Sequence, residues 1–332
     1  MTKLVKGLGI ESTAHTFGAA IVNESGKILS DIRSIYVPPA GSGIHPREAS
    51  RHHTDVAASV IKQALTESKI SKNDLDFISF SAGPGLGPCL RVGAVIARTL
   101  CHYLDKPIVP VNHAIGHIEI AAFEAKFFDP IVLLVSGGHT LVSAFSNGRW
   151  RIFGETLDLT IGQLLDQFGR KLGLSSPSGK KIEEISLKSK KYLSLPYTVK
   201  GNNVSLSGVI TAAKRLLDNK ANPNDIAYSI QETGFAMLCE VTERALAFSE
   251  KKELLISGGV AANKRLIQML TKVAERHNSK IYAISKRYSG DCGAQIAWTG
   301  LLAFKKGCKV KIEKSTIRQS WRIDTVDIPW RN

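Results

Sequence analysis

The sequence has 332 residues, of which 43% are hydrophobic and 22% are charged, and it carries a formal net charge of +15. That length and composition suit one large or two medium globular domains, and so large a basic excess favours a polyanionic partner, with nucleic acid first. No apolar run reaches the roughly eighteen residues of a membrane span, no signal region precedes the first strand, and the five cysteines form no CxxC pair, so we expect a cytoplasmic protein with free thiols and no membrane partner.

The first predicted elements are two apolar strands joined by a short polar turn, within GLGIESTAHTFGAAIVNESGKIL at 7–29. A strand, a glycine-rich turn and a helix follow at 75–100, and both patterns recur at 131–153 and 253–270. The second copy is longer, and its extra length fits the polar stretch near 175–225. This duplication predicts two similar α/β lobes facing a cleft, lined by four glycine-rich turns whose N–H groups favour phosphate.

Between the two copies, VNHAIGHIEI at 111–120 places His113 and His117 four residues apart in an apolar run. On a helix both imidazoles point to the same side, which suits a shared metal ion. Two half-buried histidines packed at a helix surface explain the same spacing. The spacing by itself leaves both interpretations open.

The last part of the sequence is basic, because 305–322 contains a single acid, Glu313, and a second basic stretch covers 180–191. Such a run is typical either of a nucleic-acid contact or of a solvated surface, and the overall charge favours the contact. The cationic residues of the longer run are Lys305, Lys306, Lys309, Lys311, Lys314, Arg318 and Arg322.

Nine motifs, in order, carry a resemblance to a known family. They are GIESTAHT (9–16), GIHPREASRHH (43–53), GPGLGPCLRVG (83–93), NHAIGH (112–117), VSGGHT (135–140), GETLDLTIGQLLDQFGRKLGL (154–174), YSIQET (228–233), SGGVAANKRL (257–266) and DCGAQIAWTG (291–300). The sequence resembles, nearly end to end, the tRNA N6-adenosine threonylcarbamoyltransferase family in its archaeal and eukaryotic form. That form is the catalytic subunit of the KEOPS complex and was once labelled an O-sialoglycoprotein endopeptidase.

The resemblance implies a two-lobed actin/hexokinase-like ATPase (ASKHA) fold with a duplicated α/β core and a central cleft, in agreement with the repeat. We expect an N-terminal lobe over 1–128 that 300–332 completes. The C-terminal lobe is expected over 129–299, with the insertion near 175–225.

The resemblance also implies site residues. His113, His117 and Asp291 match the metal ligands of the family, and this donor set suits one divalent ion, Fe²⁺ or Zn²⁺. Asp166 and Glu183 match carboxylates near the ribose. The full set that matches substrate- and nucleotide-binding positions is Leu134, Val135, Ser136, Gly137, Gly138, Asp166, Gly179, Glu183, Gly258, Gly259 and Asn263.

The implied activity is transfer of a threonylcarbamoyl group from threonylcarbamoyl-AMP to N6 of adenosine 37 in tRNAs that read codons beginning with A. A metal ion would act as a Lewis acid on the acyl phosphate. We expect Lys311, Lys314 and Arg318 to contact the tRNA backbone. The other expected partners are the KEOPS subunits, a small kinase-like ATPase and small adaptor proteins. No general base follows from the sequence.

Some positions depart from the family pattern. Leu134 stands where archaeal members usually have a tyrosine that ligates the metal, so the resemblance implies an under-coordinated ion. The other departures are Gln163, Ser178, Lys180 and Cys292. These departures favour one alternative, a non-catalytic scaffold subunit, although the retained His113, His117 and Asp291 count against it. A second alternative is a small-molecule kinase on the same fold, since the cleft would suit ATP, but a magnesium-dependent kinase has no use for the HxxxH site. A metalloprotease is disfavoured because HAIGH lacks the glutamate of HExxH.

Overall fold

The protein is described by a computed structural model that covers residues 4–331, and its strands and helices alternate along most of the chain. The strands are β1 (Lys6–Glu11), β2 (Thr16–Asn23), β3 (Ile28–Ile35), β4 (Phe77–Gly83), β5 (Ile108–Asn112), β6 (Ile131–Val135), β7 (Thr140–Ser146), β8 (Arg149–Glu155), β9 (Val199–Lys200), β10 (Asn203–Val204), β11 (Glu253–Ser257) and β12 (Lys280–Ala283). The α-helices are α1 (Pro46–Ser68), α2 (Gly87–Leu104), α3 (His113–Ala125), α4 (Ile161–Lys171), α5 (Gly179–Ser186), α6 (Ser207–Asp218), α7 (Pro223–Ser249), α8 (Lys264–Arg276), α9 (Lys286–Ser289) and α10 (Gly293–Lys305).

Two five-stranded sheets with the same topology form the frame of the molecule. The first has the order β3-β2-β1-β4-β5, and the second has the order β8-β7-β6-β11-β12. In each sheet a hairpin and a third antiparallel strand lie on one side, and two parallel strands lie on the other. The predicted repeat, with its duplicated α/β core, is therefore confirmed.

Helices α3 and α10 pack against each other and join the two sheets through one continuous apolar core. Both helices are buried on most sides, and their sequences accordingly have apolar residues on almost every face. The approach of α10 to β1 requires glycine at position 9, where a Cβ would lie 2.2 Å from the backbone nitrogen of Ala297. A second apolar cluster lies between the first sheet and the pair α1 and α2.

Two segments outside the sheets complete the fold. Between α4 and α7 the chain forms α5, the short hairpin β9–β10 and α6. After α10 the chain returns to the first sheet, where Val310 bridges to Ile108. It then crosses to the second sheet, where Ile328 N–H donates to the carbonyl oxygen of Gly148 at 2.8 Å. Within residues 4–331, no helix is long and apolar enough to cross a membrane.

Candidate metal centre and substrate cleft

The candidate site lies where strand ends from the two sheets meet. Strands β1, β5, β6 and β11 end at Glu11, Asn112, Val135 and Ser257, and a loop or helix with predicted site residues follows the last three. The Ser257 hydroxyl donates to the carbonyl oxygen of His117 at 2.8 Å, so the end of β11 contacts α3 directly. In α/β proteins, ligands bind at the carboxyl ends of parallel strands.

His113, His117 and Asp291 form one cluster whose ligand atoms all lie within 4.8 Å of one another. Asn112 caps α3 by accepting a hydrogen bond from the amide of Ile115 at 3.1 Å, so both histidines lie in the first turns of that helix. The Nε2 atoms of His113 and His117 lie 3.5 and 3.2 Å from Asp291 Oδ1.

These distances fit a metal centre. Two ligand atoms about 2.05 Å from a tetrahedral ion lie about 3.3 Å apart. The site therefore has three donors of the right chemistry and spacing to hold a metal ion. The packed-histidine interpretation does not account for a carboxylate brought to the same point from 174 residues away in sequence.

Glu11 holds the ring of His113 from the side opposite the cluster. Its Oε2 lies 2.9 Å from His113 Nδ1, and its Oε1 accepts hydrogen bonds from the amide and hydroxyl of Thr13 at 2.6 and 2.5 Å. A carboxylate on the remote nitrogen of a ligand imidazole fixes the tautomer and raises the ligand's basicity. The Gln295 side-chain amide also reaches His113 Nδ1, at 3.1 Å.

Charge and burial act in opposite directions on these groups. Burial lowers the pKa of His113, but the carboxylates of Glu11 and Asp291 outweigh it and raise that pKa to about 9 in the metal-free protein. Burial would raise the pKa of Asp291, whereas the imidazoles beside it lower it well below its usual range. Burial lowers the pKa of His117. The cluster is thus a cationic imidazole beside an anionic carboxylate until a metal displaces the proton.

His139 is a third imidazole beside this cluster. Its ring centroid lies 6.2 Å from that of His113, with the planes inclined at 31°. Its Nδ1 is buried and makes no hydrogen bond to the described residues. Burial, followed by the charges on His113 and His117, lowers the pKa of His139 to about 3.

The turn at 136–138 is closed by its own hydrogen bonds. Ser136 N–H donates to the carbonyl oxygen of His139 at 2.8 Å, and the Ser136 hydroxyl accepts from the amide of Gly138 at 3.2 Å. Gly137 is exposed, and a Cβ there would meet nothing within 4 Å. We expected the amides of this turn to hold a phosphate; those of Ser136 and Gly138 have internal partners, and Gly137 has open space before it.

Two glycines allow neighbouring backbone segments to approach this turn closely. A Cβ on Gly162, at the start of α4, would lie 2.5 Å from the carbonyl oxygen of Ser136. A Cβ on Gly258, which has φ +94°, would lie 2.3 Å from the carbonyl oxygen of Val135. The next residue, Gly259, is exposed with open space around it. The turns after β6 and β11 are therefore in direct contact, as the repeat predicts.

The two carboxylates predicted to lie near the ribose also accept hydrogen bonds from the protein itself. Asp166 Oδ1 accepts hydrogen bonds from the Ser178 amide and hydroxyl at 2.6 and 3.1 Å, just before Gly179 begins α5. Glu183 Oε1 accepts from the amide of Lys264 at 2.8 Å, at the first turn of α8. The second carboxylate oxygen of each accepts nothing from the described part of the chain.

Three residues that were predicted to contact the ligand are buried in the protein: Asn263, Leu134 and Val135. Asn263 caps α8 through Oδ1, and its amide donates to Gln231 Oε1 at 2.6 Å, so its polar atoms are already used. Leu134 and Val135 are fully buried in β6. A ligand would reach these two residues only through their backbone.

One expectation about the cleft was wrong. The glycine turn after β4 does not offer an open phosphate site, because the C-terminal segment covers it. A Cβ on Gly83 would lie 1.9 Å from the carbonyl oxygen of Arg318, and one on Gly87 would lie 1.5 Å from the Gln319 amide nitrogen. These glycines make room for the protein's own chain.

The basic residues predicted to contact tRNA lie on this covering segment. Lys311, Lys314 and Arg318 are exposed. Arg318 N–H donates to the carbonyl oxygen of Ala82 at 2.7 Å, which anchors the segment at the end of β4. The guanidinium of Arg318 lies 4.9 Å from the ring centroid of Trp321.

The departures from the family pattern have local structural roles. Gln163 forms a capping box with Thr160 at the start of α4. Ser178 supplies the two donors to Asp166, while Lys180 is exposed and lies 4.0 Å from Glu184. Cys292 is buried beside Gln295, and burial raises the pKa of its thiol.

Residue-level reasoning did not find Glu11, Gln295 or His139 as members of the site. The available signal for Glu11 was an acidic side chain at the end of an otherwise apolar strand. His139 stands in the VSGGHT motif, directly after the glycine turn.

Solved structures share this architecture. HypF from T. kodakarensis matches 92% of this chain and 48% of its own with a TM-score of 0.64 and 16% identity. The Acidaminococcus fermentans (R)-2-hydroxyglutaryl-CoA dehydratase component A matches 92% of this chain and all of its own, with a TM-score of 0.57 and 18% identity. At such identities the likeness concerns the fold, and it defines a two-lobed ASKHA-type α/β protein, here with a candidate two-histidine, one-aspartate metal centre.

The amino-acid comparisons are more specific. The family model of TsaD, tRNA N6-adenosine threonylcarbamoyltransferase, matches residues 27–298, and the chain belongs to this family. The Caldivirga maquilingensis member is 50% identical over 323 residues, covering 97% of both chains. The Thermofilum pendens member is 47% identical over 331 residues, covering 99% of this chain and 98% of its own. A Methanothermobacter thermautotrophicus protein described as a probable bifunctional tRNA threonylcarbamoyladenosine biosynthesis protein is 49% identical over 97% of this chain and 60% of its own.

Proposed function

We propose that this protein transfers the threonylcarbamoyl group of threonylcarbamoyl-AMP to N6 of adenosine 37 in tRNAs that read codons beginning with A. The observation that carries the proposal is the cluster of His113, His117 and Asp291, within 4.8 Å, in a member of this transferase family. Relatives 47–50% identical over nearly the whole chain bear the name of this activity.

We propose one divalent ion, Fe²⁺ or Zn²⁺, held by His113, His117 and Asp291. Two imidazoles and a carboxylate suit either ion. When bound, the ion supplies Lewis acidity toward an oxygen of the acyl phosphate. Glu11 would leave Nε2 of His113 available to ligate the ion, because the contact between Glu11 and Nδ1 fixes the ring.

The remaining predicted residues would bind the adenylate. The exposed backbone at Gly137 and Gly259 would face the phosphate, with Ser136, Gly138 and Gly258 shaping the two turns. The free oxygens of Asp166 and Glu183 would accept hydrogen bonds from the ribose hydroxyls, near Gly179. Leu134, Val135 and Asn263, which are buried, would hold these contacting groups in position.

We propose that tRNA binds through Lys311, Lys314 and Arg318, and that the protein works with KEOPS subunits, a small kinase-like ATPase and small adaptors. The net charge of +15 and the exposure of these three side chains support the tRNA contact. The KEOPS subunits rest on the family resemblance.

We further propose a lobe division close to the expected one, 1–128 and 129–299, after which the chain returns to the first lobe and then, from Arg322 on, contacts the second sheet. The first sheet ends at Asn112 and the second begins at Ile131, which supports the first boundary. The second boundary falls inside α10, which packs on β1, β2 and β4, so we place the return to the first lobe at Gly293.

Reconstitution tests the function. Purified protein is mixed with labelled threonine, the enzyme that forms the adenylate, the partner subunits and unmodified tRNA, and label in tRNA is measured. We expect wild type to transfer threonine. The variants His113→Ala and Asp291→Ala should lose transfer but keep the circular dichroism spectrum of the folded protein. His102→Ala, on the exposed side of α2, is the matched histidine control.

Two results would contradict the proposal. Wild type that assembles with its partners but never labels tRNA would favour the scaffold. Wild type that phosphorylates members of a sugar or acetate panel and leaves tRNA unlabelled would favour the kinase.

A further inference from the structure

His139 lies between the candidate metal cluster and the turn at 136–138. It directly follows the turn at 136–138, and its amide donates to the Ser136 hydroxyl at 2.9 Å. Its carbonyl oxygen accepts the Ser136 amide at 2.8 Å, so its backbone is fixed to the turn on both sides. The ring extends toward the metal cluster, 6.2 Å from the ring of His113 between centroids.

The imidazole of His139 has no protein partner within the described residues. Its Nδ1 is buried without a hydrogen bond, and Nε2 makes none either. A buried polar atom left unpaired costs about 1–3 kcal/mol, so such an atom calls for a ligand or water partner. His113 pairs with Glu11, and His117 pairs with Asp291 through Nε2 while its Nδ1 is unpaired, whereas neither ring nitrogen of His139 has a partner among residues 4–331.

His139 is near the metal ligands but is not one of them. The group of donor atoms within 4.8 Å contains His113, His117 and Asp291 alone among residues 4–331. With ring centroids 6.2 Å apart, a substrate atom held at the cluster would come close to the third imidazole. Because an acyl phosphate runs from its phosphate to its acyl carbon, a substrate with its phosphate at the 136–138 turn and its acyl group at the metal would pass His139.

An imidazole has at least one N–H donor in either protonation state. A neutral imidazole carries one N–H donor and one acceptor. Such a ring can donate to a developing oxyanion without giving up its proton, as neutral histidine electrophiles do.

We propose that His139 donates a hydrogen bond to the carbamoyl oxygen of the substrate during transfer. The proposal rests on the transferase function above. The adenosine amine nitrogen forms a bond to the carbamoyl carbon, and the C–O bond to AMP breaks, so that AMP leaves with that electron pair. The carbamoyl oxygen carries negative charge between these two events, the amine proton passes to water, and His139 retains its own proton throughout.

The test compares His139→Ala with His139→Asn and His139→Gln, whose amides approximate Nδ1 and Nε2. His102→Ala is the control. Single-turnover transfer of labelled threonine, metal content after dialysis, and calorimetric binding of a stable sulfamoyl analogue of the adenylate are measured for each. We expect the alanine variant to transfer about 10²–10³-fold more slowly, as when an oxyanion-hole donor is removed. Metal content and analogue affinity should stay within about threefold, and one amide variant should recover part of the rate.

Other outcomes overturn the proposal. An unchanged rate in His139→Ala would remove the donor role. Loss of metal together with rate would make His139 a metal ligand, and loss of one limb of the pH–rate profile would make it a general base. Failure of both amide variants to recover any rate would also count against a hydrogen bond. Absence of transfer in wild type and in His102→Ala would refute the transferase function itself, a result separate from all of these.

Discussion

Replacing Glu11 with glutamine should weaken metal binding, and the size of the loss should depend on pH. Glu11 is completely buried and accepts from three donors, the amide and hydroxyl of Thr13 and Nδ1 of His113. A glutamine has one acceptor oxygen, so its NH₂ must face either Thr13 or His113. Loss of such a partner behind a ligand histidine lowers metal affinity about 10–100-fold, or about 1.4–2.8 kcal/mol.

An opposing effect comes from the proton on His113. Its pKa of about 9 in the metal-free protein means that metal must displace a proton at neutral pH. At pH 7 this competition reduces the apparent affinity of wild type about 100-fold, since each pH unit below the pKa costs about tenfold. Glutamine removes the Glu11 charge and lowers that pKa, so the variant escapes most of this competition. The metal affinity of wild type relative to that of the variant should therefore increase as pH rises from 7 to 9.

The assay is chelator competition for Zn²⁺ at pH 7, 8 and 9. Wild type and Glu11→Gln should bind with similar affinity at pH 7 and differ about 10–100-fold at pH 9. Glu24→Gln, whose partner is the surface residue Lys305, is the control. Thermal unfolding confirms that each variant is folded. A wild-type advantage that is constant or falls with rising pH would refute this account of Glu11.

Three further predictions concern other parts of the molecule. Replacing Lys311, Lys314 and Arg318 with glutamine should weaken tRNA binding and reduce the log–log salt slope by about 0.7–0.9 for each phosphate that is no longer neutralised; an unchanged slope in filter binding would show a merely solvated surface. Burial lowers the pKa of His53 from 6.5 to about 4, so its neutral form supports stability above pH 6.5, and up to about 3 kcal/mol is lost as pH falls toward 4. His53→Phe should flatten that part of the stability profile in urea unfolding, and an identical profile would contradict it. Gly162→Ala should destabilise the protein by about 1–3 kcal/mol and weaken AMP binding, because its methyl group would displace the 136–138 turn; calorimetry and thermal unfolding check both.

Local patterns were sufficient to predict the frame of this protein. The alternation of apolar strands, polar turns and glycine turns at 7–29 and 131–153 depends on neighbouring residues only, and both copies form the predicted hairpins. The geometry of His113 and His117 also follows from local rules, because the helical period brings residues four apart onto one side. The resemblance of the motifs then indicated the family.

The tertiary structure decided how the site is assembled; for Asp291 the sequence offered only the family resemblance, and for Glu11 it offered no assignment. Asp291 reaches His117 across 174 residues, and Glu11 reaches His113 across 102. The glycine turn after β4 looks like a phosphate loop in sequence, yet the segment around Arg318 fills it. Such contacts join segments far apart in the chain, and their choice depends on how two sheets pack around α3 and α10. No local period or turn preference carries that information, because the same strand ends and glycines are compatible with several packings.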